Sequence, residues 1–80
     1  MRTVVSIADV VALNEALAQA GVAAKVHLHD ACGGQSLWLE PLEGAGEDAL
    51  PRAREVVEGY LTGRRVRLGW SDDGVTFWPL

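Results

Sequence analysis

The sequence predicts an α+β fold: a two-layer sandwich in which two helices lie on one face of a four-stranded antiparallel sheet. Apolar residues recur first with helical spacing and then with the period of two that is typical of strands, and this succession occurs twice in 80 residues. Each half is helix, strand, strand, so the chain follows an αββαββ order, with units at about 6–42 and 47–80. The connection EGAGED is short, and an isolated hairpin is only marginally stable. Residues 1–80 are therefore expected to form a single domain with one shared core.

The first unit begins with SIADVVALNEALAQAG, in which apolar residues at 7, 10, 11, 17 and 18 predict an amphipathic helix. Ser6 and Asp9 resemble a capping box with aspartate in place of glutamate, and Gly21 is a natural stop. The segments KVHLHDA and SLWLEPL then alternate with a period of two, which predicts two half-buried strands.

The second unit repeats this order. In EDALPRAREVVEGYLTG, Asp48 is the predicted N-cap, Pro51 lies in the first turn and Gly63 ends the helix. RRVRLGW and VTFWPL are the predicted strands; KVHL matches RVRL, and EPL matches WPL. An extra strand in RTVVS would instead give a ferredoxin-like βαββαβ fold with an additional C-terminal strand, and this alternative stays open.

The first hairpin is predicted to turn at Gly33-Gly34, because a two-residue turn needs positive φ angles. This register places His29 opposite Trp38 and Leu28 opposite Leu39. Cross-strand partners project to the same side of a sheet. The predicted inner face, beneath the helices, consists of Val26, Leu28, Leu37, Leu39, Val66, Leu68, Val75 and Phe77. The predicted outer face consists of His27, His29, Trp38, Glu40, Arg65, Arg67, Thr76 and Trp78.

The two tryptophans of the outer face predict a partner surface. Exposed apolar area costs about 25 cal/mol per Å², and contiguous exposed patches and Trp or Arg residues are typical of interfaces. In a second interpretation Trp38 and Trp78 cover one another, with the arginine stems over them. The predicted function is a non-enzymatic module that forms a homodimer or binds another protein. Its anchors are Trp38 and Trp78, with polarity set by Arg65, Arg67, His27, His29 and Glu40.

Two other kinds of partner compete with this interpretation. Single-stranded nucleic acid could stack on the tryptophans, but the net charge of −4 and the two-arginine footprint argue against it. A small anionic ligand could lie between the arginines and the histidines. Steep salt dependence would identify nucleic-acid binding.

The stretch HLHDACGGQSLWLE is the one segment whose residue types suggest site chemistry. His27, His29 and Cys32 are side chains that zinc or copper prefers. The predicted alternation puts both histidines on one face and Cys32 on the other, and the chain has no second cysteine, so no metal site or cofactor is predicted. A small-ligand or transition-metal site centred on these three residues is the alternative function. A thiol-dependent enzyme is the third and weakest hypothesis: a reactive Cys32 needs a helix N-terminus or a cation nearby to lower its pKa, and His29 would favour the thiolate whereas Asp30 would oppose it.

At HDACGGQSLWLE the chain resembles the RDAC family of small bacterial proteins, named for an Arg-Asp-Ala-Cys motif. His29 stands where that family has its arginine. The resemblance implies no activity, substrate or cofactor, but it marks Asp30, Cys32 and Gln35 as a possible motif site. The matching residues are Asp30, Ala31, Cys32, Gly33, Gly34, Gln35 and Ser36.

Compartment and membrane association follow from composition. One cysteine cannot form an internal disulfide, which fits a reducing cytoplasm. The N-terminus has no apolar signal-peptide core. No apolar run approaches the roughly 18–20 residues that a membrane span requires. A cytoplasmic protein without a membrane partner is therefore expected.

Overall fold

The computed structural model of the chain describes residues 5–31 and 34–80. In chain order the elements are α1 (Ile7–Gln19), β1 (Ala24–Ala31), β2 (Gly34–Pro41), α2 (Ala49–Gly63), β3 (Leu68–Trp70) and β4 (Thr76–Pro79). The predicted α+β class and αββαββ order are confirmed. Within the described residues, neither helix is both long and apolar enough to cross a membrane.

The four strands form one antiparallel sheet in the order β1-β2-β4-β3. Each hairpin contributes one central and one edge strand, and the two hairpins meet where β2 pairs with β4. The ferredoxin-like alternative needs a strand in residues 2–5; residues 2–4 lie outside the described residues, and Val5 belongs to no strand. In the sheet that is described, every neighbouring pair of strands is antiparallel.

The helix ends follow the sequence signals in part. Ser6 is the N-cap of α1, and the predicted capping box is present: the Ser6 hydroxyl accepts from the Asp9 N–H at 3.1 Å, and the Asp9 carboxylate accepts from the Ser6 N–H at 3.0 Å. Asp48 is the N-cap of α2, as predicted, but its side chain makes no capping hydrogen bond. Side chains therefore cap the first backbone N–H groups of α1, whereas the N-cap side chain of α2 does not.

One core lies between the helices and the sheet. Leu13 and Leu17 of α1 and Val57 and Leu61 of α2 are fully buried there. Because residues of both helices join one core with alternate residues of the strands, both helices cover the same face of the sheet. All predicted inner-face residues belong to this core or pack against it: Val26, Leu28, Leu37, Leu39, Val66, Leu68, Val75 and Phe77.

The register of the first hairpin differs from the prediction by two residues. Leu28 pairs with Leu37 instead of Leu39, and Ala31 pairs with Gly34. Gly34 therefore lies in β2, and its φ angle is not positive, so its predicted place in the turn was wrong; Gly33 is outside the described residues. A shift of two leaves every side chain on its predicted face, because side chains alternate with a period of two.

The two helix ends repeat in three dimensions, but the spacing is not the one that the KVHL and RVRL match indicates. The loops that end the helices have the same hydrogen bond 44 positions apart: the Val22 N–H donates to the Leu17 carbonyl at 2.9 Å, and the Val66 N–H to the Leu61 carbonyl at 2.8 Å. This makes Val26 equivalent to Trp70. KVHL and RVRL, 40 positions apart, do not superpose in this alignment.

Arg65 is the structural equivalent of Gly21, and this overturns its predicted place in a strand. Both residues follow a helix with positive φ angles, 71° for Gly21 and 62° for Arg65. A residue in this left-handed conformation ends many helices by letting the chain turn back. The strand predicted from RRVRLGW accordingly begins only at Leu68, after this turn. Arg65 is therefore not on the outer face of the sheet.

Replacing Arg65 with glycine is expected to raise the free energy of unfolding by about 0.5–1 kcal/mol, because a residue with a Cβ is strained at positive φ. Urea denaturation at pH 7 measures this change. Arg65→Ala is the matched control, since it removes the same charge but keeps the Cβ. Equal stabilisation by alanine and glycine would show that charge, and not backbone strain, limits stability at this position.

Candidate binding surface

The sheet face turned away from the helices carries most of the predicted site residues. Trp38 pairs with His27 on one side and with Thr76 on the other. Alternation and strand pairing define this surface, called the open face, by Lys25, His27, His29, Ser36, Trp38, Glu40, Gly69, Thr76 and Trp78.

Trp38 lies at the centre of the open face. The pair Trp38–Thr76 relates the two halves of the sheet: Leu37 pairs with Phe77 on one side of it, and the Leu39 N–H donates to the Val75 carbonyl at 2.9 Å on the other. Trp38 belongs to a central strand, yet 40% of its surface is exposed. A large exposed side chain in this position is surrounded on several sides by other groups of the same face.

His27, Trp38 and Glu40 form a compact cluster. The His27 ring stacks on the Trp38 indole with centroids 5.0 Å apart and an interplanar angle of 20°. Its Nε2 lies 2.7 Å from Glu40 Oε1. Glu40 is paired in register with Lys25 and is diagonal to His27. The stack and the hydrogen bond therefore orient both rings without any partner being bound.

Trp78 lies flat against the backbone of the neighbouring strand. It pairs with Gly69, and a Cβ at residue 69 would come within 2.5 Å of the Trp78 indole nitrogen. Only glycine leaves room for the ring there. Gly69 was not among the predicted site residues, although a glycine inside a strand pattern is a known sign of close approach.

The interpretation in which Trp38 and Trp78 cover each other is not what the structure shows among the described residues. The ring partner of Trp38 is His27, and the indole of Trp78 lies over Gly69. The two indoles are therefore held independently.

The remaining predicted binding residues lie at different places. His29 is exposed and pairs with Ser36, on the same side of the sheet as His27. Arg67 is exposed just before β3, and its carbonyl accepts from the Leu80 N–H at 2.8 Å. Arg65 lies in the loop after α2. Both arginines are among the residues that line a groove between α2 and β3.

The motif segment contributes a structural contact through Gln35. Its side-chain amide accepts from the Val5 N–H at 2.8 Å and donates to the Val5 carbonyl at 2.8 Å. Gln35 thus fastens the segment before α1 to the start of β2, in the manner of a strand partner. The backbone of Asp30 pairs with Gln35 in the β1–β2 register.

No metal centre is evident in residues 5–31 and 34–80. Within them, no group of three or more His, Cys, Asp and Glu side chains could hold a metal ion. His27 and His29 are both in β1, while Cys32, the third candidate ligand, lies outside the described residues.

Trp70 was not among the predicted site residues, and it lies on the inner face. Its ring packs on Phe77 with centroids 4.7 Å apart, and the Arg54 guanidinium lies 4.5 Å from its centroid. Its alternation with Val66 and Leu68 would have indicated this placement. The third tryptophan therefore stabilises the contact between α2 and the sheet and leaves the open face to the other two.

Comparison with protein-family models, curated proteins and solved structures finds no match to this chain. The proposed function below therefore depends on the geometry of the open face alone.

Proposed function

We propose that the protein is a binding module that associates face to face with a second copy through the open face. The observation that carries this proposal is the exposed indole of Trp38 at the centre of the sheet. Leaving apolar surface in water costs about 25 cal/mol per Å². Energetically dominant interface residues are enriched in Trp and cluster near the centre of an interface.

Preorganisation of the aromatic groups supports the proposal. His27 is stacked on Trp38 and hydrogen bonded to Glu40, and Trp78 is seated over Gly69. Side chains that are already ordered lose less conformational entropy when a partner arrives. The open face can therefore bind without first rearranging.

The charge distribution favours a second copy over nucleic acid. Glu40 is the one acidic side chain of the open face as defined, and it faces Lys25 and His27. The net charge of −4 consequently arises elsewhere on the chain, so two open faces do not repel strongly. A nucleic-acid platform needs a basic footprint to neutralise phosphates, and the predicted arginine pair is divided because Arg65 lies in the loop after α2.

Sedimentation equilibrium of the untagged protein tests the proposal. The wild type is expected at twice the 8.6 kDa of one chain, and Trp38→Ala is expected to weaken association by at least about tenfold, as for a central interface residue. Val11→Ala, at an exposed apolar position of α1, is the matched control and should not change the mass. A monomeric wild type, or a dimer unaffected by Trp38→Ala, would contradict the proposal.

We also infer that the module works in the cytoplasm and belongs with the RDAC family. The single cysteine supports a reducing compartment. The string DACGGQS at 30–36 supports the family.

A further inference from the structure

We propose that the edge of β3, with the groove beside α2, is a second binding site, which takes an extended acidic peptide as an additional strand. The groove has a volume of about 540 Å³. It is bordered by the outer side of α2 and by the segment that leads into β3, and its lining residues are Glu58, Thr62, Arg65, Val66, Arg67 and Leu68.

The outer edge of β3 has unpaired backbone groups. The Leu80 N–H donates to the Arg67 carbonyl at 2.8 Å, and the Ser71 N–H donates to the Thr76 carbonyl at 2.9 Å. In an antiparallel pair, bonded residues alternate with residues whose N–H and C=O groups point away. Leu68 and Trp70 therefore point their backbone groups away from β4, and no hydrogen bond to these groups is found among the described residues.

At the opposite edge of the sheet, a side chain satisfies both backbone groups of Val26. Asn14 of α1 accepts from the Val26 N–H at 2.7 Å and donates to the Val26 carbonyl at 3.2 Å. In the 44-residue repeat, Glu58 corresponds to Asn14 and Trp70 to Val26. A glutamate carboxylate has no N–H with which to satisfy a carbonyl, and Glu58 is exposed. A side chain thus satisfies the β1 edge at Val26, whereas no such contact is found at Trp70 among the described residues, and the β3 edge is open to strand addition.

The charges of the groove select an acidic occupant. Arg65 and Arg67 are exposed, and neither forms an ion pair within the described part of the chain. Glu58 is the one acidic residue among the lining residues. A second copy paired through β3 would bring its own Arg65 and Arg67 to an edge that already has two arginines without an ion pair in the described residues, and like charges disfavour that arrangement. An extended peptide with carboxylates on alternate residues matches both the edge and the arginines.

Titration of the ¹⁵N-labelled protein with a terminally blocked Glu-Val-Glu-Val-Glu peptide tests the proposal by NMR. Saturable shifts and slowed amide exchange are expected at Leu68 and Trp70. Glu58→Asn is the decisive variant. It places beside β3 the same side-chain amide that Asn14 presents to Val26 at the edge of β1. It is expected to weaken binding by about tenfold, the loss of one to two hydrogen bonds. Glu58→Ala removes the same charge without an amide and should bind at least as tightly as the wild type.

Attraction by charge alone predicts the opposite result for Glu58→Asn, since that variant also removes a negative charge from the groove. Equal binding by Glu58→Asn and Glu58→Ala would therefore overturn strand addition. Binding that survives N-methylation of the peptide's alternate amides would overturn it as well, because those amides could no longer donate to β3.

Two further variants locate the site. Arg67→Glu is expected to weaken peptide binding by at least about tenfold through charge reversal, while Lys25→Glu, on the far strand, should leave it unchanged. Shifts centred on Trp38, or peptide-independent self-association strengthened by Arg67→Glu, would contradict the proposal. Trp38→Ala should not alter peptide binding, so this site and the proposed dimer can fail independently.

Discussion

Replacing Asp9 with alanine is expected to lower the free energy of unfolding by about 2–3 kcal/mol, because a buried capping carboxylate is lost together with its charged partner. Asp9 is 6% exposed. Its carboxylate accepts from the Ser6 N–H and from the Ser6 hydroxyl, each at 3.0 Å, and lies 2.8 Å from the Arg64 guanidinium. One side chain therefore closes the start of α1 and joins it to the end of α2. Urea denaturation at pH 7 measures the loss.

The stabilisation by Asp9 is expected to depend on pH. The Ser6 N–H is the main cause that lowers the pKa of Asp9 below its usual 3.8, with help from the Ser6 hydroxyl and Arg64 and against the effect of burial. A carboxyl group with a lowered pKa stabilises the fold above its unfolded-state pKa, and this contribution is lost as the pH falls through the folded-state value. The stability difference between wild type and Asp9→Ala should therefore shrink as the pH is lowered below about 4.

Two variants separate the cap from the ion pair. Asp9→Asn keeps an acceptor for Ser6 but loses the charge, so it should cost less than Asp9→Ala. Arg64→Met should cost clearly less than Asp9→Ala, because 55% of the Arg64 side chain is exposed and solvent screens the pair. If Arg64→Met were as damaging as Asp9→Ala, the contact between the helices, and not the cap, would be the main contribution.

Replacing Asn14 with alanine is expected to lower the free energy of unfolding by about 1–2 kcal/mol, because both backbone groups of Val26 lose their partner. Amide exchange at Val26 should accelerate in the same variant. Glu58→Ala is the matched control at the equivalent position of α2, and we expect a change within about 0.5 kcal/mol there, as for an ordinary surface substitution. Equal destabilisation by the two variants would contradict the different roles assigned to the two sheet edges.

The inner and outer placement of the strand residues could be predicted although the register could not. Both 28/37 and 28/39 pair one leucine with another, so hydrophobic matching does not distinguish the two registers. Because they differ by two residues, Trp38 projects to the open face in either case. The prediction of an exposed Trp38 therefore survived an error in the turn.

Arg65 shows where the sequence pattern was misleading. RRVRLGW alternates well enough to predict a strand from its first residue, and arginine is not a residue that signals a left-handed helix end. Its conformation is revealed by the hydrogen bonds that close α2, which repeat those after α1. Arg65 consequently lies in the loop after α2 and not on the open face, and it lines the groove at the edge of β3 together with Arg67.

The sequence by itself determined the order of the elements, the two faces of the sheet and the capping box at Ser6, because these depend on periodicity and on contacts within a few residues. Only the tertiary structure decided the contacts between distant segments: Asn14 on Val26, Gln35 on Val5 and the close approach of Trp78 to Gly69. Such contacts depend on how a helix crosses a strand and how two strands align. Residue type and local spacing do not determine the crossing of a helix over a strand or the alignment of two strands. Both are set by the packing of all the elements around one shared core.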